Sequence, residues 1–135
     1  MILDTNFVSA IINGEEEAWD KAEDLHEEDE TVRITEVVLF ELFYGAFYDE
    51  NEKLVREVSN IATMYEMENL DEDSIIEGAQ KLSKADLDEG GESGVEPRDG
   101  MIGGIAAQNG EDVVTENVDD FNKLDVDVRE FNSDN

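Results

Sequence analysis

Asp4, Glu41 and Asp99 stand where a chain this rich in acid has least use for a carboxylate. Of 135 residues, 38 are Asp or Glu, and most sit in hydrophilic runs such as Glu15-Glu16-Glu17 and Glu27-Glu28-Asp29-Glu30. Asp4 is instead the only charge from Met1 to Ile12, Glu41 the only charge from Val37 to Tyr48, and Asp99 the only acid between Pro97 and Gly110. A lone carboxylate in a segment that reads as core gives up its hydration, which is costly unless something positive meets it. Only nine Lys and Arg are available, and the nearest, Arg98, cannot serve all three acids. A divalent cation can. The absence of cysteine and the isolation of His26 in an acidic run exclude thiolate zinc sites and histidine clusters. Oxygen ligands alone suit Mg²⁺ or Mn²⁺.

The elements that must position these acids follow from the apolar pattern. Met1-Ile2-Leu3 reads as a short buried strand ending at Asp4, and Thr5-Asn6 starts a helix that Asn13-Gly14 stops. A helix over 15–28 sets Trp19, Ala22 and Leu25 on one stripe, Val32 to Ile34 alternates as a strand, and Thr35 caps an apolar helix over 36–48. In that helix Phe40, Phe43, Tyr44 and Phe47 predict core or a subunit interface. Helices follow over 52–64 and 71–87, the second turning Ile75, Ile76, Ala79 and Leu82 inward, with a half-buried strand over 65–70 between them. The stretch 88–96, with Gly90, Gly91 and Gly94, predicts a mobile loop, and Pro97 precedes a helix from Asp99 to about Gln108. Strands over 112–115 and 126–131 flank a short helix or turn over 119–124. Strands alternating with helices predict an α/β fold of three layers: a central parallel sheet of four to five strands with helices on both faces. Ligands of such sheets bind beyond the carboxyl ends of the strands where strand order reverses, so four distant segments can furnish one pocket. Length and the lack of a linker predict a single domain over 1–135.

The net charge of −29 normally signals disorder, but 39% of the residues are apolar and cluster periodically. Acid spread over every predicted surface, with lysine scarce, points to a halophilic source. At about 1 M salt the Debye length falls to about 3 Å, which screens the self-repulsion. With neither a long apolar run nor a basic hydrophobic leader, a cytoplasmic location without membrane contact is expected.

Four segments together carry a family resemblance: Leu3-Asp4-Thr5-Asn6; Thr35-Glu36-Val37-Val38-Leu39-Phe40-Glu41-Leu42-Phe43-Tyr44-Gly45; Arg98-Asp99-Gly100-Met101-Ile102-Gly103-Gly104-Ile105-Ala106; and Val113-Val114-Thr115-Glu116-Asn117-Val118-Asp119-Asp120-Phe121. Their order and types resemble PIN-domain ribonucleases, most closely the VapC-type toxins of toxin–antitoxin pairs. The resemblance implies that Asp4, Glu41 and Asp99 hold Mg²⁺ or Mn²⁺, with Asp120 as the fourth acid and its neighbour Asp119 as the alternative. It implies supporting roles for Thr115 and Asn117, and RNA cleavage leaving a 3′ hydroxyl and a 5′ phosphate. A cognate antitoxin and a homodimer are the implied protein partners.

Each residue also has a structural reading. Asp4 and Asp99 can cap helices, Glu41 can pair with Arg33 or Arg98, Asp120 can be a solvated acid, and Thr115 and Asn117 can shape a turn. Arg98 is placed either to touch substrate or to pair internally with Asp99 or Glu41. Two other functions compete with the toxin: an RNA-processing nuclease without an antitoxin, and a receiver-like signalling domain with an acidic pocket. The second lacks the paired aspartates after the first strand and the lysine ending a late strand.

Overall fold

The computed structural model describes residues 1–28 and 31–131; the acidic pair Asp29–Glu30 and residues 132–135 of the expected domain lie outside the described residues. In chain order the elements are β1 (Ile2–Leu3), α1 (Thr5–Ile12), α2 (Glu16–Glu27), β2 (Arg33–Thr35), α3 (Glu36–Tyr48), α4 (Glu52–Met64), β3 (Glu66–Glu68), α5 (Glu72–Asp88), α6 (Pro97–Asn109), β4 (Val113–Thr115), α7 (Val118–Lys123) and β5 (Val128–Glu130). The strands form one five-stranded sheet in the order β3-β2-β1-β4-β5, every neighbouring pair parallel.

The chain leaves β1 toward β2 and β3 on one side, then returns to lay β4 and β5 on the other. Right-handed crossovers therefore set α1–α4 on one face and α5–α7 on the opposite face. Helix neighbours follow that division, with α1 against α2 and α3, α3 against α4, α5 against α6, and α6 against α7. This is the three-layer α/β fold expected. The core between the layers contains Ile2, Leu3, Phe7, Val8, Ile34, Ile102, Ile105, Val113, Val114 and Phe121, all at most 1% exposed. The strand reversal falls between β1 and β4, whose register pairs Ile2 with Val113 and Leu3 with Val114.

Two helices expose part of the face expected to be buried, although Ala22 of α2 and Leu82 of α5 pack against the core as expected. In α2, Ala18 and Leu25 are buried, whereas Trp19 is 54% exposed and rests on the surface with its indole N–H donating to the Ile11 carbonyl. In α5, Ile75 and Ile76 are about half exposed, and Ser74, Gly78 and Ala85 are buried instead. The reason is the closeness of α6. A Cβ on Gly78 would lie 2.3 Å from the Gly100 carbonyl oxygen, and one on Gly104 would lie 2.2 Å from that of Ser74. Only small residues permit this approach, so a hydrophobicity pattern misplaces part of the buried stripe.

α6 starts earlier than expected, because Pro97 occupies its first turn, where a missing N–H costs nothing, and Glu96 is the N-cap. Asp99 is thus inside the first turn and is not the cap. The glycine-rich stretch before it is held at its C-terminal part, while residues 89–92, within the loop expected from the glycines, are exposed. Ser93 is buried and donates both its N–H and its hydroxyl to Asp86 Oδ1, at 3.0 and 2.5 Å, while Val95 joins the core.

Candidate active site

Asp4 is the first residue beyond β1, at the strand reversal. It is also the N-cap of α1, with Oδ1 accepting the Thr5 N–H at 2.8 Å. The cap and the site share one side chain, because capping uses one oxygen and leaves the other facing β4. That second oxygen, Oδ2, accepts from the Thr115 hydroxyl at 2.7 Å and the Asn6 amide at 3.2 Å. Asp4 is 3% exposed and Thr115 fully buried, so the bond between them operates away from bulk water.

Glu41 reaches the same place from α3. Thr35 caps that helix, its hydroxyl accepting the Val38 N–H at 3.1 Å, and Val38, Leu42 and Ala46 form its buried stripe. Glu41 borders the stripe. Its Oε1 accepts from the Thr5 hydroxyl at 2.9 Å and its Oε2 from Arg98 Nη1 at 2.6 Å. Arg98 Nε also lies 2.9 Å from Glu96 Oε2. Arg98 therefore pairs internally, at a point where α3 meets α6 across the two helical layers.

Asp99 is 4% exposed in the first turn of α6. Burial pushes its carboxyl up to about 7, the charges of Asp4, Asp120 and Glu41 push the same way, and Arg98 opposes them. Asp4 is likewise raised, first by burial and then by Glu41, against the hydrogen bonds from Thr115 and the Thr5 N–H and the charge of Arg98. Asp4, Glu41, Asp99 and Asp120 therefore share one field, although they come from four separate elements. Asp120 is half-buried in the first turn of α7, whereas Asp119 is exposed.

Donor chemistry and uncompensated charge both fit a hard divalent cation. As the side chains stand, however, no three acidic or histidine groups among the described residues are gathered closely enough to hold a metal ion. Glu41 is committed to Arg98 and Thr5.

The supporting residues differ in part from those singled out in the sequence. Asn117 contributes its backbone N–H, which donates to the Thr115 hydroxyl at 2.9 Å, while the residue itself is exposed. Thr5 and Asn6, read from sequence as the start of a helix and as part of the first family segment but given no site role, are part of the network. Asn6 spans Asp4 and Thr115, and its Oδ1 accepts the Glu116 N–H at 3.4 Å. The signal was the run Asp4-Thr5-Asn6 itself: two polar side chains in the first turn of a helix that is otherwise largely apolar.

Beside the acids, Val37, Phe40, Tyr44 and Met101 form the apolar walls of an open groove of about 540 Å³ that shares Glu41 and Arg98 with the site. Along α3, Phe40, Tyr44 and Tyr48 stack in sequence with ring centres 6.5 and 6.1 Å apart, and all three are more than 60% exposed. The aromatic face of α3 is thus on the surface and not in the core.

Comparison with known proteins adds three findings. The family model described as PIN domain matches residues 1–127. No curated protein matches the sequence. Among solved structures, VapBC2 from Rickettsia felis bound to a promoter DNA fragment has a chain that superposes with a TM-score of 0.83 at 17% identity, covering 97% of this chain and 98% of that one. DNA-bound VapBC from Salmonella typhimurium gives 0.79 at 26% identity, with 96% of each chain covered. FitAcB from Neisseria gonorrhoeae gives 0.75 at 24% identity, with 94% of each chain covered.

Proposed function

Because the chain belongs to the PIN-domain family, a family of nucleases, we propose that it is a metal-dependent endoribonuclease and the toxin of a VapBC-type toxin–antitoxin pair. The observation that carries this reading is the convergence of acids from separate elements at the strand reversal: Asp4 and Asp99 are buried there, and Thr5 joins Asp4 Oδ1 to Glu41 Oε1 through its N–H and its hydroxyl. Repulsion among buried acids destabilises a fold unless a cation relieves it, and sites that keep such repulsion are characteristically functional.

In this reading Asp4, Glu41, Asp99 and Asp120 hold Mg²⁺ or Mn²⁺. Held by these four carboxylates, such an ion would supply Lewis-acid chemistry for hydrolysis of an RNA phosphodiester. The chain's own residues prepare the site. Thr115 and Asn6 fix Asp4 through Oδ2, the α1 backbone fixes it through Oδ1, and Thr5 orients Glu41. Each contact holds a carboxylate in one rotamer, which is how supporting hydrogen bonds tune a metal centre.

The same proposal covers partners and location. The Salmonella relative is a VapBC assembly on DNA, and the exposed rings of Phe40 and Tyr44 in the groove beside the acids offer apolar surface to an antitoxin segment. A homodimer and a single domain over 1–135 complete the reading. Among the described residues no helix is long and apolar enough to cross a membrane, and a cytoplasmic location is proposed.

The test is incubation with total RNA in molar KCl plus Mn²⁺ or Mg²⁺. The wild type should cleave, whereas Asp4→Asn and Asp99→Asn should not. Equal cleavage by all three would remove the site assignment.

A further inference from the structure

We infer that Arg98 is a built-in latch that competes with the divalent cation for Glu41, so that metal binding requires the guanidinium to release Oε2 and remain anchored on Glu96; this rests on the metal-site reading above. Three observations carry it. First, both oxygens of Glu41 are occupied: Oε1 by the Thr5 hydroxyl at 2.9 Å and Oε2 by Arg98 Nη1 at 2.6 Å. The guanidinium takes a lone pair of Oε2 and holds a positive charge 2.6 Å from it, so a divalent cation approaching that oxygen meets a like charge until Arg98 moves away. Second, the two ends of the pair differ in freedom. The Glu41 side chain is 16% exposed and confined on α3, while Arg98 is 48% exposed and can swing toward solvent. Glu96, 59% exposed and 2.9 Å from Arg98 Nε, provides the anchor for the released state.

Third, Arg98 stands in the first turn of α6, where the helix dipole disfavours a cation. Its position is explained by the acids it faces. The charge of Arg98 acts on Asp4 and Asp99 as well as pairing with Glu41, so one side chain partly neutralises the cluster that the ion would neutralise. Arginine suits this because its planar fork addresses two carboxylates at once, whereas a lysine is a single point charge.

The test is a Mn²⁺ titration by calorimetry in molar KCl with wild type, Arg98→Gln, Glu41→Gln and the double variant, with folding checked by circular dichroism. Arg98→Gln should bind Mn²⁺ at least about tenfold more tightly than wild type, the scale set by losing one charge-assisted hydrogen bond. The same substitution in the Glu41→Gln background should change affinity far less. Unchanged or weakened binding in Arg98→Gln overturns the latch, as does equal tightening with and without Glu41, which would make Arg98 a diffuse charge only. Should Arg98→Gln not fold, ¹⁵N spectra of the wild-type arginine side chains decide. Mg²⁺ should abolish the exchange protection of the Arg98 Nη1 protons and leave Nε protected, and an unaltered Nη1 signal at saturating Mg²⁺ overturns the latch. Failure of Mn²⁺ to bind wild type and Arg98→Gln alike overturns the metal-site reading and the latch with it. Binding that is lost in Asp4→Asn but unchanged in Arg98→Gln overturns the latch alone.

Discussion

The Thr115 hydroxyl donates to Asp4 Oδ2 over 2.7 Å, tying the ends of β4 and β1 together at the strand reversal. The Thr115 hydroxyl oxygen also accepts the Asn117 N–H, so one side chain orients an acid and closes the turn after β4. Replacing Thr115 by Val keeps the shape but removes these two bonds and the one the hydroxyl accepts from the Asn6 amide at 3.4 Å. Leaving such groups unpaired costs about 1–3 kcal/mol, and loss of a supporting partner typically costs about 10–100-fold in metal affinity or activity. Thr115→Ser should retain most of both. RNA cleavage and chemical denaturation of the two variants check this, and indistinguishable variants would rule out the hydroxyl's role.

Asp99 predicts a pH dependence. Its carboxyl rises from an ordinary value of 3.8 to about 7, so between about pH 4 and 7 the metal-free folded state keeps a proton that the unfolded chain has released. Stability then falls as pH rises through that window, with no penalty below it and the full penalty above it. Asp99→Asn removes the group. The melting temperature of metal-free Asp99→Asn, relative to wild type, should therefore climb from pH 4 to 7 and level off beyond. A constant gap across the range would refute the assignment.

The α5–α6 contact predicts that Gly78 and Gly104 resist even one added methyl. Each Cβ would meet backbone, not a movable side chain. Gly104→Ala and Gly78→Ala should each lose about 1–3 kcal/mol or more, whereas Gly45→Ala, with open space at its Cβ, should be neutral or stabilising. Equilibrium unfolding in molar KCl measures all three.

Salt should stabilise the fold. The charge is −29, and most basic side chains are already engaged, Arg33 with Glu66, Glu68 and Glu111 and Arg129 with Glu28 and Asp112. Those local pairs do not offset repulsion over the rest of the surface, which molar salt screens. Melting temperature should rise steeply from dilute buffer to about 2 M KCl, in keeping with a halophilic source. An unchanged melting temperature would count against it.

Asp120 and Asp119 should separate in the cleavage assay. Asp120 acts on Asp99 electrostatically, while Asp119 is exposed. Asp120→Asn should lower cleavage at least about tenfold by analogy with other losses at metal centres, and Asp119→Asn should leave it near wild type. The reverse order would move the fourth acid by one residue.

Part of the fold was legible because the two central strands, β1 and β4, are short apolar runs that meet a polar residue with its own signal, whereas β3 and β5 are largely charged. Asp4 ends β1, Thr35 ends β2 and caps α3, and Thr115 ends β4. The face of α5 was not, since burial there depends on how near α6 comes. Ile75 and Ile76 are apolar yet exposed, and Gly78 is buried because Gly100 and Gly104 lie opposite it. The network of Thr5 and Asn6 was hidden for a similar reason. Short polar side chains at a helix start look like caps until their partners are known.

The sequence by itself determined which acids are unusual, because an isolated carboxylate among apolar residues carries a desolvation cost wherever the chain places it. It also determined the parallel α/β class, since the periods of strand and helix are local properties. Only the tertiary structure decided that Glu41 is held by Arg98, that Thr115 serves Asp4 and that the charge of Asp120 bears on Asp99. Those relationships join residues far apart in the chain, and whether such groups meet is set by the order of strands in the sheet.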